Sequence, residues 1–350
     1  MGCGRTFYME DTTMRPPPPA PAAAAGRLVR GGAKPAGGAD PVKLSYSNFF
    51  PPTHIQSQLA EQWCREVEKR SGGKVVIEYY PGGTLTKAKD CYDGVVQRIS
   101  DIGMSALGYT KGRFPVLSGV DLPMCYASGV QATGLANAVY AKFTPKEFDD
   151  VHVLYFHAHG PGILHTAGKP VKSMEDLKGM KIRATGNSAS VITALGGSPV
   201  AMSMPDSYQS IQKGVVNGGI YPTETNKGWK MAEVVDYLTD STAVGYTTTF
   251  FVVLNKAAWA ALPAEAQQAM TEVSKEWIPK HGQAWDDSDK EGREFFLAQP
   301  GNAIVTLDAA EAARWTKAMD PLFVEYEAEC AKLGADGKAV VEFMHGQMKK

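Results

Sequence analysis

An α/β fold is predicted by two features of this 350-residue chain. Between residues 42 and 254, short β-branched or aromatic runs alternate with helical patterns, as in parallel sheets covered by helices on both faces. After Asn255 helices dominate, with one further strand pattern at 303–307. The length suffices for two domains, so two α/β lobes are expected.

The elements follow in order. Residues 42–48 alternate in polarity and read as a strand. Pro51-Pro52 closes a turn, and Thr53 with Gln56 forms a capping box for a helix. Ile55, Leu59, Trp63 and Val67 recur every four residues and predict its buried stripe. Gly72-Gly73 ends it. A strand follows at 74–80, a turn at Pro81-Gly82-Gly83, a helix at 87–98 and a strand at 101–105. Further helices are expected at 130–143, at 173–178 (capped S-x-x-D), at 188–195 and from Pro205, which suits a first helical position. Strands are expected at 151–157, around Arg183, at 215–221 and at 246–254. Asp308 and Glu311 form a last capping box. The aromatic residues Trp259, Trp277, Trp285, Phe295, Phe296, Trp315, Phe323 and Tyr326 read as core or bracing groups.

Composition excludes several classes. The chain is 44% hydrophobic and 21% charged, an ordinary globular balance. A net charge of -1 offers no general field for nucleic acid or anionic membrane. No apolar run approaches the roughly 20 residues that span a bilayer. The five cysteines form no C-x-x-C pair, which argues against a zinc site or disulfide framework. Residues 1–41, rich in Pro, Ala and Gly, are expected to be disordered and show no clear signal peptide. P-loop, G-x-G-x-x-G, G-x-S-x-G and H-E-x-x-H motifs are missing. No cofactor is expected.

Arg183 ends a strand, and ligands of open α/β sheets collect beyond the carboxyl ends of strands. Its guanidinium is a rigid fork matched to a carboxylate. Asn48 and His54 follow the first strand, Ser105 and Tyr109 follow another, and Tyr221-Pro222-Thr223-Glu224 a third. Together they suggest a polar cleft between two lobes, with Met204 in its apolar wall. His157, His159 and His165 admit a rival reading, a metal-dependent or acid–base enzyme. The preferred reading has one histidine, His159, hydrogen-bonding into the cleft while its neighbour packs.

The stretch Asp176-Leu177-Lys178-Gly179-Met180-Lys181-Ile182-Arg183 resembles the D-L-K-G-[LM]-K-[IL]-R signature of DctP-type solute receptors of the tripartite ATP-independent periplasmic (TRAP) transporters. Gly197-Ser198-Pro199-Val200, the run from Tyr208 to Gly218, Asp101-Ile102-Gly103, and Asn255 with Trp259, Leu262-Pro263 and Gln267 resemble the family in the same order. The resemblance implies a two-lobe periplasmic-binding-protein-like fold with a long bracing helix near the C-terminus. It implies lobe I at 42–165, with 255–307 returning to it, lobe II at 166–250, and helices at 308–350 packing across both. It also implies a monomeric periplasmic receptor that captures a small organic acid, such as a C4-dicarboxylate, and passes it to the small and large TRAP membrane subunits. The family's ligand-clamping arginine falls on Arg183. Sugar-acid members carry asparagine where Tyr221 stands and a second arginine near Ile163. These departures argue against a sialic-acid-like ligand and leave a smaller or more apolar monocarboxylate, or a dicarboxylate, open.

Overall fold

The computed structural model describes residues 40–349, so the segment expected to be disordered lies outside it but for its last two residues. The chain opens with β1 (Val42–Asn48), α1 (Ile55–Arg70), β2 (Val75–Tyr80), α2 (Cys91–Val96), β3 (Ile102–Ala106), α3 (Gly129–Phe143) and β4 (Val151–Ala158). It continues with β5 (Ile163–Thr166), β6 (Lys181–Ala184), α4 (Asn187–Ala194), β7 (Ser198–Ala201), α5 (Ser207–Gln212), β8 (Gly218–Tyr221), α6 (Thr225–Gly228) and β9 (Tyr237–Asp240). Then come β10 (Thr249–Asn255), α7 (Lys256–Ala260), α8 (Ala264–Leu297), β11 (Ala303–Thr306), α9 (Ala309–Ala318), α10 (Asp320–Lys332) and α11 (Gly337–Met348).

Two sheets organise these elements. The first has the order β2-β1-β3-β10-β4 and the second β11-β9-β5-β8-β6-β7. The chain crosses between them after β4, again before β10, and a third time between β10 and β11. Two assignments differ from expectation. Residues 163–165, expected in the first lobe, belong with Thr166 to the second sheet, and β11 pairs with β9 there instead of returning to the first. β7 accommodates Pro199 because it is an edge strand, where a missing N–H costs no ladder bond.

The cap of α1 also differs. His54 occupies it, with its ring accepting from the Gln56 N–H at 3.2 Å. The buried face runs through Gln56, Ala60, Trp63, Cys64 and Val67, while Ile55 and Leu59 are half-buried. At α9, Asp308 accepts the Glu311 N–H as expected. The Glu311 carboxylate turns away, to the Met174 N–H and the Trp315 indole.

The long helix α8 spans 34 residues and packs on α1, α3 and β4 on one side and on α6 on the other. Two of its carboxylates hold the starts of helices from different halves of the molecule. Asp286 accepts from Gly129 (2.5 Å) and Val130 (3.2 Å) at the start of α3, and Asp289 accepts from Glu224 (2.8 Å) before α6. Each satisfies a donor the helix itself leaves free. Gly292 lets the segment before α6 approach, since a Cβ there would lie 2.3 Å from the Thr223 carbonyl.

These buried groups set the pH response. Burial pushes the Asp289 carboxyl up to about 8, and Asp121 and Glu147 up to about 7, although each accepts backbone N–H bonds. Burial holds His159, His165 and His281 down to about 3. The carboxyls retain protons that the unfolded chain loses near pH ~4, so their stabilising contribution fades as pH rises through 7–8. The histidines act oppositely and destabilise the fold as pH falls below ~6.5. The two sets largely offset each other below pH ~6.5, so melting temperature should fall from pH ~6.5 to ~8, with Asp289→Asn flattening that alkaline limb. Thermal melts across this range test it, and a steady rise to pH ~8 would refute it.

Candidate functional site

The carboxyl ends of strands from both sheets converge on one half-open cavity, with about 370 Å³ of atom-free space counted out into its mouth. From the first sheet's side come Phe49 and Phe50 after β1, Tyr109 after β3, His159 after β4, and Thr248 with Phe250 at β10. From the second come Arg183 and Thr185 at β6, Met204 after β7, and Tyr221, Pro222 and Glu224 at β8. Trp285 of α8 and Trp229 complete the wall.

Arg183 reaches this cavity by strand alternation. Its neighbours Ile182 and Ala184 are fully buried in the core, so the intervening residue points the other way. Arg183 as a whole is 4% exposed. Its Nε donates to the Met202 carbonyl at 3.1 Å and one Nη to the Ile220 carbonyl at 3.4 Å. Among the described residues no carboxylate lies within ion-pair distance of it. A buried cation held by carbonyl dipoles and the Tyr109 phenol, with no anion beside it, is poorly compensated, and an entering anion would complete it.

Tyr221 stands beside it. Its hydroxyl is buried in the cavity wall without a hydrogen-bond partner. Burial keeps the phenol protonated, opposed by the Arg183 charge. Gly219 makes this placement possible. It pairs with Arg183 across β6–β8, and a Cβ there would lie 2.4 Å from the Tyr221 ring.

The remaining walls are aromatic. Phe49 stacks on Phe50 with centroids 4.2 Å apart, and Phe250 stacks on Trp285 at 5.4 Å. Trp229 lies nearly parallel to Phe49 at 6.2 Å. Flat apolar faces with a cation and a phenol at one place can receive an organic anion.

The Bacterial extracellular solute-binding protein family 7 model (DctP) matches residues 46–329. The chain belongs to the DctP family. A relative, the C4-dicarboxylate-binding protein DctB of Bacillus subtilis, is 26% identical over 296 residues, 82% of this chain and 83% of that protein. Among solved structures, a marine-metagenome TRAP solute-binding protein specific for aromatic acid ligands, in complex with 3-hydroxybenzoate, superposes with a TM-score of 0.84. It is 27% identical and the match covers 89% of this chain and 99% of that one. A TRAP solute-binding protein from Rhodoferax ferrireducens, in complex with copurified benzoate, gives 0.83 at 28% identity, covering 88% and 98%.

In this DctP fold, four of the seven residues singled out from sequence line the cavity: Arg183, Tyr221, His159 and Met204. Three do not. The Ser105 hydroxyl turns to the Ala88 carbonyl at 2.6 Å, because β3 alternation points it at the neighbouring layer. Asn48 accepts from the Phe50 N–H and donates to the Tyr79 hydroxyl, so it holds the loop that presents the two phenylalanines. His54 lies one layer out and bonds Glu224 at 3.0 Å. Tyr109, four residues beyond Ser105, is the group that reaches the cavity from β3.

The histidine-based enzyme does not fit a DctP receptor, and the geometry gives each imidazole another task. His157 accepts from the Trp285 indole at 3.0 Å and stacks on His281. His165 bonds Asn226 and the Ile163 carbonyl. His159 donates from Nδ1 to Gly160, at 2.5 Å. Among the described residues no three His, Cys, Asp or Glu side chains form a metal-holding group.

Proposed function

We propose that this receptor captures a small aromatic monocarboxylate in the periplasm and delivers it to TRAP membrane subunits. The observation that carries the reading is Arg183, a buried fork without an anionic partner, set among parallel aromatic faces. The ligand carboxylate would take two donors from the guanidinium and one from the unpartnered Tyr221 hydroxyl. The ring would lie among Phe49, Trp229, Phe250 and Trp285. The benzoate and 3-hydroxybenzoate complexes of the two similar structures support the same class.

A thermal-shift screen over benzoate, mandelate, succinate and glucuronate tests the proposal. A ligand at about 100 times its Kd stabilises the receptor by about 2.7 kcal/mol, a shift of several degrees. The aromatic acids should give it. A shift with succinate alone would overturn the aromatic assignment.

A further inference from the structure

We propose that Glu224 selects aromatic acids carrying a hydrogen-bond donor, a ring hydroxyl or amine, at a position away from the carboxylate. This rests on the aromatic-acid reading above and extends it to a second polar contact.

Glu224 is a buried carboxylate that lines the same cavity as Arg183, yet the two form no ion pair. Its Oε2 is taken. The His54 ring accepts the Gln56 N–H at Nδ1, so its proton sits on Nε2 and is donated to Glu224 Oε2 at 3.0 Å. Glu224 also borders an outer cavity lined by His54, Lys227 and Gly228, and Oε2 lies on that side, against His54 and Gly228; Oε1, without a hydrogen-bond partner among the described residues, is the oxygen left for the cavity that holds Arg183. An ionised carboxylate can only accept, so this wall asks for a donor. Asp289 keeps the backbone in place by accepting the Glu224 N–H, and Gly228 lets the side chain lie flat, since a Cβ there would sit 2.5 Å from Oε2.

Two consequences follow for specificity. A ring O–H or N–H completes Oε1, whereas benzoate leaves it unpaired and desolvated. A second carboxylate would meet Glu224 as a like charge, so dicarboxylates are rejected. His159 offers the other candidate acceptor, the nitrogen left when Nδ1 bonds Gly160.

Calorimetry on the intact receptor with benzoate, 3-hydroxybenzoate, 4-hydroxybenzoate and 3-aminobenzoate tests the assignment without any mutation. At least one donor-bearing acid should bind about 10-fold or more tighter than benzoate, and Glu224→Gln should reduce that ratio to below about 3 while benzoate still binds. Equal affinities in the unmutated protein would overturn the proposal and leave the aromatic reading standing. A preference that survives Glu224→Gln but vanishes in His159→Phe would move the role to His159 and overturn it too. An equal loss for every acid in Glu224→Gln would mark the His54–Glu224 pair as a contact between the two halves and nothing more. If none of the acids binds, the aromatic reading fails and this proposal with it.

Discussion

Arg183→Ala is expected to weaken ligand binding by about 2–5 kcal/mol, roughly thirty-fold to several-thousand-fold, as when one partner of a desolvated charge pair is truncated. The size follows from burial. Arg183 is 4% exposed, so its guanidinium has little water to fall back on, and without it the ligand carboxylate would lose its cationic partner. Arg183→Lys should not restore affinity, since an ammonium cannot reproduce the planar fork or keep both the Met202 and Ile220 carbonyls satisfied. The empty receptor should behave differently. Removing an incompletely compensated buried cation should leave its melting temperature unchanged or raise it. Calorimetry with the best acid from the screen, paired with melts of the ligand-free variant, separates the two effects. Unchanged affinity would remove Arg183 from the site. A sharp drop in melting temperature would instead make it a structural residue.

That arginine was legible in the sequence because its signals are local. Gly179 adopts φ +81° and ends the turn, the strand alternates, and the residue emerges at the strand end. The same logic found Tyr221. It failed for Asn48 and Ser105 because a strand end identifies a neighbourhood and not a direction. One or four residues further on, Phe49 and Tyr109 point inward instead. Four residues are too few to show a period, so β5, β7 and β9 escaped notice, whereas the equally short β6 and β8 were marked by the motif ending in Arg183 and by the apolar run from Val215. The aromatic wall was hardest to see. Trp285 comes from a helix far along the chain, and nothing near it in sequence distinguishes a cavity wall from ordinary core. Glu224 lay in a run already noted after β8, but its buried partner His54 is 170 residues away.

Trp285→Ala should cost about 3–5 kcal/mol of folding stability, the usual range for emptying a large buried aromatic site. Three contributions push towards the upper end. The side chain is 1% exposed and packs against Phe250, Phe50 and His157 with centroids 5.4–6.0 Å apart. Its indole N–H is the donor to His157 Nδ1, so deletion strands a buried acceptor beside a ring that burial holds neutral. It also sits on α8 between Asp286 and Gly282, where the start of α3 docks, so collapse of the void would disturb that contact. Trp285→Phe separates volume from the hydrogen bond: it should recover most of the packing but not the His157 acceptor. Urea denaturation of the three proteins measures both terms. A cost below about 1 kcal/mol for the alanine variant would mean that the site relaxes freely and that α8 does not brace the cavity through this residue. Because the indole is at once core and cavity wall, the aromatic acid should also bind more weakly to both variants, and more weakly to alanine than to phenylalanine.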